Sequence, residues 1–136
     1  MGMFSTLDTA VTGASTGQTW LNAISDNVAN SNTVRPAGEE PFRARLVVAR
    51  AIGAPGQIGE GVGVQSVELN QSAPEVVYDP ENPLADANGN VTRPVVDMSE
   101  EMTNLVAAQR YYQLNLSVIG AARDAYQKAL EIGRHG

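Results

Sequence analysis

The stretch that most constrains the fold is the last third of the chain, where no proline interrupts the residues from Asp97 to Gly133. Within it Met102, Leu105, Gln109, Tyr112, Leu116, Ile119, Arg123, Tyr126 and Leu130 follow alternating steps of three and four. That is the spacing of a heptad seam, interrupted by Gln109 and Arg123. Asp97 and Glu100 have capping-box spacing with Asp as the cap, and Gly133 marks the stop. At 1.5 Å per residue the predicted helix is about 50 Å long. A small domain cannot hide a stripe of that length, so a second long helix must cover it, from this chain or from a neighbour.

The intrachain candidate runs from Ser5 to Asn30. Leu7, Val11, Ala14, Leu21, Ile24 and Val28 recur at helical steps, with Ser5 in a capping position and Asp8 near the positive helix end. Gly13 and Gly17 each weaken such a helix by about 1 kcal/mol relative to alanine. The same "GASTG" stretch, however, forms a small-residue face that a second helix can approach closely. This helix would cover about three quarters of the longer one.

The first helix runs into "NVANSNT", with three asparagines in seven residues. None of Asn27, Asn30 and Asn32 begins an Asn-x-Ser/Thr glycan acceptor. Short amide side chains satisfy freed backbone groups and tolerate tight turns, so Asn27, Asn30, Asn32 and Thr33 read as a helix-end turn motif, with Asn30 holding the turn.

Between the helices the period changes from helical to alternating. "FRARLVVARA", "GVGVQSVEL" and "EVVYDP" read as strands, and Asn88-Gly89 as a tight hairpin turn. All seven prolines lie between Pro36 and Pro94. The expected architecture is mainly α with a small loop-rich β insertion, divided as residues 1–33, 34–94 and 95–136. Aromatic residues make up only 5% of the chain, so the expected core is thin.

Several function classes are disfavoured. A net charge of −6, with Lys128 the single lysine, gives no footprint for a phosphate backbone. The absence of cysteine removes disulfides, thiolate catalysis and zinc–thiolate sites. Neither a cleaved secretory signal nor a membrane-spanning run is expected from the apolar pattern. "GAPGQIGEGVG" lacks the Lys-Ser/Thr ending of a phosphate loop and precedes a strand pattern, so it reads as a loop between strands. "DANGNV" places Asp86, Asn88 and Asn90 at alternate positions, as a calcium loop does, but Val91 stands where that loop needs glycine. The single histidine, His135, lies near the end of the chain with nothing to orient it. No catalytic constellation, cofactor site or metal site is expected.

The two ends together resemble a known family. "NVANSNT" is similar to the asparagine-rich signature of the bacterial flagellar axial proteins, the rod, hook and hook-junction subunits. "EMTNLVAAQRYYQLNLSVIGAARDAYQKALEIGR" resembles their C-terminal signature. "PFRARLVV" and "YDPENPLADANGNV" are similar to stretches that mark proximal-rod members, while "NSNTVRPAGEEPFRAR" departs from the compact turn of the longer rod and hook subunits.

The resemblance implies terminal helices paired as an antiparallel coiled coil that lines a tube, with the β insertion outside. It implies a structural subunit of the basal-body rod, located in the periplasmic space and exported by the flagellar type III apparatus without a cleaved signal. The implied partners are other rod subunits and copies of itself, the basal-body membrane ring and export gate, and the hook-basal body adaptor. No nucleic acid, direct lipid contact, cofactor or enzymatic activity is implied. The expected interface takes Leu7, Val11, Ala14, Leu21 and Val28 from the first helix, together with the nine seam residues of the second. The rival reading from the residues is a soluble coiled-coil adaptor that binds one partner helix and never polymerises.

Overall fold

The computed structural model describes residues 2–54 and 59–135. Along the chain these form α1 (Met3–Asn30), β1 (Arg35–Pro36), β2 (Arg45–Ile52), β3 (Gly61–Leu69), β4 (Glu75–Tyr78), β5 (Asn90–Arg93) and α2 (Met98–His135). The architecture is two long terminal helices around a small antiparallel β region.

The start of α2 follows from Asp97, whose Oδ1 accepts the backbone N–H of Ser99 at 2.9 Å and of Glu100 at 3.1 Å. Two of the donors left free at a helix start are thereby satisfied. The expected stop at Gly133 is corrected: the helix continues through it to His135. A glycine weakens a helix without blocking its hydrogen bonds, and no proline follows this one. At 38 residues α2 is about 57 Å long.

The start of α1 also differs from the expectation. Gly2 is the N-cap and makes no side-chain capping bond. Ser5 lies inside the first turn, where its Oγ donates to the Gly2 carbonyl at 2.6 Å. The hydroxyl is used by the turn before it and cannot cap the helix.

The β region consists of two sheets. β2 and β3 form an antiparallel ribbon in which Arg45 faces Leu69 and Ile52 faces Gly61. Its register slips once, because Val48 faces Ser66 while Ala49 faces Val64, which leaves Gln65 as the extra residue of a bulge. This bulge is the physical cause of the broken alternation between Val64 and Val67. The second sheet has the order β1-β5-β4, with Val91 and Thr92 of the central strand buried.

The Asn88-Gly89 expectation is corrected in part. Gly89 does turn the chain, with φ of 78°. The turn does not join two strands directly, however, because the whole Asp79–Gly89 segment connects β4 to β5.

α2 packs on α1 and on no other helix or strand among the described residues. Phe4 meets Tyr126 edge to face with centroids 5.7 Å apart. Gly13 lies against Asn115, Gly17 against Tyr111 and Tyr112, and Asn27 bonds to Glu101. As the first partner moves up the chain the second moves down, so the helices run in opposite directions. α1 is shorter, at 28 residues, and leaves the last turns of α2 without a helical neighbour.

Candidate assembly interface

The interhelical contact is built on small residues. A Cβ added at Gly13 would lie 2.2 Å from Asn115 Oδ1, and one added at Gly17 would lie 3.0 Å from a Tyr111 ring carbon. The two glycines therefore let α2 approach closer than any larger residue would permit. Ala10 and Ala14 on α1 and Ala108 on α2 are also buried, Ala108 completely.

On α2 Tyr111 lies against Gly17, and a series of buried or half-buried residues, Glu101, Leu105, Ala108, Tyr112, Asn115, Ile119 and Ala122, runs along the helix and ends with Tyr126 on Phe4. They follow steps of four and three without interruption. This seam keeps Leu105, Tyr112, Ile119 and Tyr126 of the expected one. In place of Met102, Gln109, Leu116 and Arg123 it has the residue one position earlier, and it ends before Leu130. Met102, Gln109, Leu116, Arg123 and Leu130 stand exposed on its flank. The close approach at Gly13 and Gly17 is filled by Asn115, Tyr111 and Tyr112, while Met102 and Leu116 stay exposed. A small-residue series at heptad spacing, matched to a small-residue face on the first helix, was the available signal.

On α1 the expected residues divide in the same way. Ala14 is buried, Leu7, Leu21 and Val28 are half-buried, and Val11 is exposed.

The asparagine motif does more than turn the chain. Asn27 is only 1% exposed and lies inside the last turns of α1. Its Oδ1 accepts the Arg45 N–H at 2.7 Å, while its Nδ2 donates to the Arg45 carbonyl at 3.0 Å and to Glu101 Oε1 at 2.8 Å. One amide thus joins α1, β2 and α2. Burial raises the Glu101 pKa above its ordinary value, the Asn27 bond opposes the shift, and the negative charges of Glu100 and Asp97 add to it.

Asn30 Nδ2 donates back to the Asp26 carbonyl at 2.9 Å, and the Thr33 N–H bonds to the Asn30 carbonyl at 3.0 Å. Asn32 Oδ1 accepts from Arg93 at 3.1 Å, which ties the helix exit to β5. No described residue other than glycine has a positive φ, so the asparagines do not use the left-handed conformation that amide side chains tolerate.

A second pin was not legible in the sequence. Thr12 Oγ1 accepts the Val62 N–H at 3.1 Å, and Thr16 Oγ1 donates to the Val62 carbonyl at 3.3 Å. Arg45 and Val62 both occupy positions whose backbone groups point away from the partner strand. Their neighbours make the ladder bonds, Asn70 N–H to Ala44 carbonyl and Glu60 N–H to Ile52 carbonyl. α1 therefore grips β2 by its outer edge near Asn27 and β3 by its outer edge near Thr12, crossing the ribbon diagonally. The spans agree: Thr12 to Asn27 is about 22 Å of helix, and Arg45 to Ala51, the residue facing Val62, is about 20 Å of strand.

Apolar side chains remain exposed on every layer. On α2 they include Met102, Val106, Leu114, Leu116 and Leu130, and on the ribbon Leu46, Val67 and Leu69. Among the described residues nothing covers these side chains.

Among the described residues no group of three or more His, Cys, Asp or Glu side chains is placed to hold a metal ion. Asp86 is occupied locally, its Oδ1 accepting the N–H groups of Asn88 and Asn90 at 2.8 Å each. No described helix is long and apolar enough to cross a membrane. Part of the glycine-rich "GAPGQIGEGVG" segment and the His135 side chain lie outside the described residues.

Comparison with known proteins matches both ends of the chain. A family model described as flagella basal body rod protein matches residues 7–36. A second, described as flagellar basal body rod FlgEFG protein C-terminal, matches residues 87–132. Flagellar basal-body rod protein FlgC of Salmonella typhimurium is 42% identical over 114 residues, covering 84% of this chain and 85% of that one. The protein of the same name from Yersinia enterocolitica is 34% identical over 98% of this chain and all of that one. The one from Bacillus subtilis is 31% identical over the same shares.

Proposed function

The chain belongs to the flagellar basal-body rod protein family, and from that premise we propose that it is a structural subunit of the proximal rod that transmits torque by lateral packing of its terminal helices. The observation that carries this reading is the division of labour on α2. One face is closed onto α1 through small residues, and the flank with Met102, Leu116 and Leu130 stays exposed among the described residues. A helix that leaves such residues in water is stabilised when neighbouring helices cover them.

In this reading the α1–α2 pair is wound as an antiparallel coiled coil lining the tube, with residues 34–94 as the outer β unit between helical segments 1–33 and 95–136. The interface comprises Leu7, Val11, Ala14, Leu21 and Val28 together with Met102, Leu105, Gln109, Tyr112, Leu116, Ile119, Arg123, Tyr126 and Leu130. Asn27, Asn30, Asn32 and Thr33 set the angle at which the chain leaves the tube for the β unit. The partners are other rod subunits. The membrane ring, the export gate and the hook-basal body adaptor contact the subunit at its ends or outer face. The subunit reaches the periplasmic rod through the flagellar export apparatus and works without enzymatic activity or a cofactor.

The test is Leu116→Asp. This side chain is 45% exposed in the single chain, so an aspartate there costs the subunit only about 1–2 kcal/mol, through lost partial burial and helix propensity. Between packed helices it buries a charge. The variant is expected to fold normally and to abolish swarming, and normal swarming by cells carrying only this variant would overturn the reading.

A further inference from the structure

We propose that the overhanging end of α2 in one copy docks into the groove at the base of the ribbon in a second copy, an interaction that rests on the rod-subunit reading above. The overhang begins after Tyr126, the last residue of α2 with a described contact on α1. Beyond it Leu130 and Ile132 are 52% and 76% exposed, and Lys128 and Arg134 are exposed beside them.

The groove lies where α1, the ribbon and the start of α2 meet. Its apolar lining includes Trp20, Ile24, Leu46, Leu69 and Val95. Its rim is acidic: Glu68, Asp97, Glu100 and Glu101 line it against one cation, Arg45. Arg45 is already paired with Asp26.

Geometry and charge together select the occupant. Asn104 lines the groove, and Leu130 stands about 39 Å farther along the same rigid helix. A chain cannot place its own overhang there, so the occupant comes from a second molecule. In a protein of net charge −6 the overhang carries Lys128 and Arg134 against a single acid, Glu131. It thus offers apolar side chains flanked by cations to an apolar groove flanked by carboxylates. Head-to-tail contact between two different surfaces repeats from copy to copy and yields a ring or an open helical array instead of an isologous pair, and the helical outcome suits a rod.

The chain has no cysteine of its own, so the contact can be trapped directly. Full-length Leu46→Cys/Leu130→Cys protein, concentrated and oxidised, is expected to give a ladder of covalent dimers, trimers and larger species, while each single variant stays monomeric. The absence of a ladder, or equally efficient dimerisation of one single variant, would overturn the proposal. Lys128→Glu is expected to weaken self-association by about fivefold, and Glu100→Lys in the same chain to restore it. Failure of that restoration also counts against the proposal. Leu46→Cys/Leu130→Cys chains in isolated basal bodies should cross-link to each other, and capture of a different rod subunit in the groove would contradict docking between copies of this chain. Swarming of Leu116→Asp cells separates the two readings: with swarming lost and no ladder formed, the rod assignment stands and the docking falls.

Discussion

Asn27 concentrates more of the fold than any other single residue. Its amide satisfies both backbone groups of Arg45 and one oxygen of Glu101 from a position that is 1% exposed. Asn27→Ala removes three hydrogen bonds made by a buried amide, and losing such bonds at a part-buried junction costs about 1–3 kcal/mol. Urea denaturation of the variant should show a loss of that size, and a change below about 0.5 kcal/mol would mean the amide bonds are not formed.

Glu101 gives a pH signature at the same junction. Its folded-state pKa lies above the ordinary carboxylate value, chiefly through burial. The folded state therefore holds this proton more tightly than the unfolded state does. Above the raised pKa the ionised carboxylate opposes folding, and the opposition fades as pH falls through that pKa toward the ordinary value. Glu101→Gln keeps an acceptor for Asn27 and removes the charge. It is expected to be more stable than the parent at about pH 7, with the difference shrinking toward about pH 4. A stability difference that is constant across that range would contradict the assignment.

At the scale of elements, the α1–α2 contact is decided by where side chains are absent. Gly17→Val places branched carbons into the Tyr111 and Tyr112 side chains and should destabilise the chain by about 1–3 kcal/mol through overpacking. Gly120 lies in α2 with nothing within 4 Å of an added Cβ. Gly120→Ala should therefore stabilise the chain by about 0.5–1 kcal/mol through helix propensity alone. Thermal unfolding midpoints of the two variants must move in opposite directions.

The existence of both helices, the strands β2, β3 and β4, and the cap at Asp97 were legible in the sequence because each carries a local signal: period, alternation or a polar residue at a fixed offset. The choice of seam was less so. Apolar size favours Met102, Leu116 and Leu130, but the close approach at Gly13 and Gly17 is made with Asn115, Tyr111 and Tyr112, and that approach is a property of two distant segments taken together. The role of Asn27 was hidden for the same reason. An amide near a helix end reads as a turn former, and only the tertiary arrangement brings the Arg45 edge and Glu101 to it. β1 is two residues long and β5 four, too short for either to display a period.

At the scale of the whole molecule, the chain is closed on one side and open on the other. The α1–α2 seam and the two pins on the ribbon make a single subunit that can hold its shape, while α2's apolar flank and overhang are left for other molecules. This separation means that a substitution on the flank can be silent for the subunit and decisive for the rod. The most direct measurement is retention in isolated basal bodies of cells expressing either the parent chain or Leu116→Asp, with urea denaturation run on both purified proteins. The account predicts two folded proteins whose stabilities differ by no more than about 1–2 kcal/mol, the parent chain retained in the rod and the variant absent from it; retention of the variant at the parent level, or a parent chain that does not co-purify with basal bodies, would contradict it.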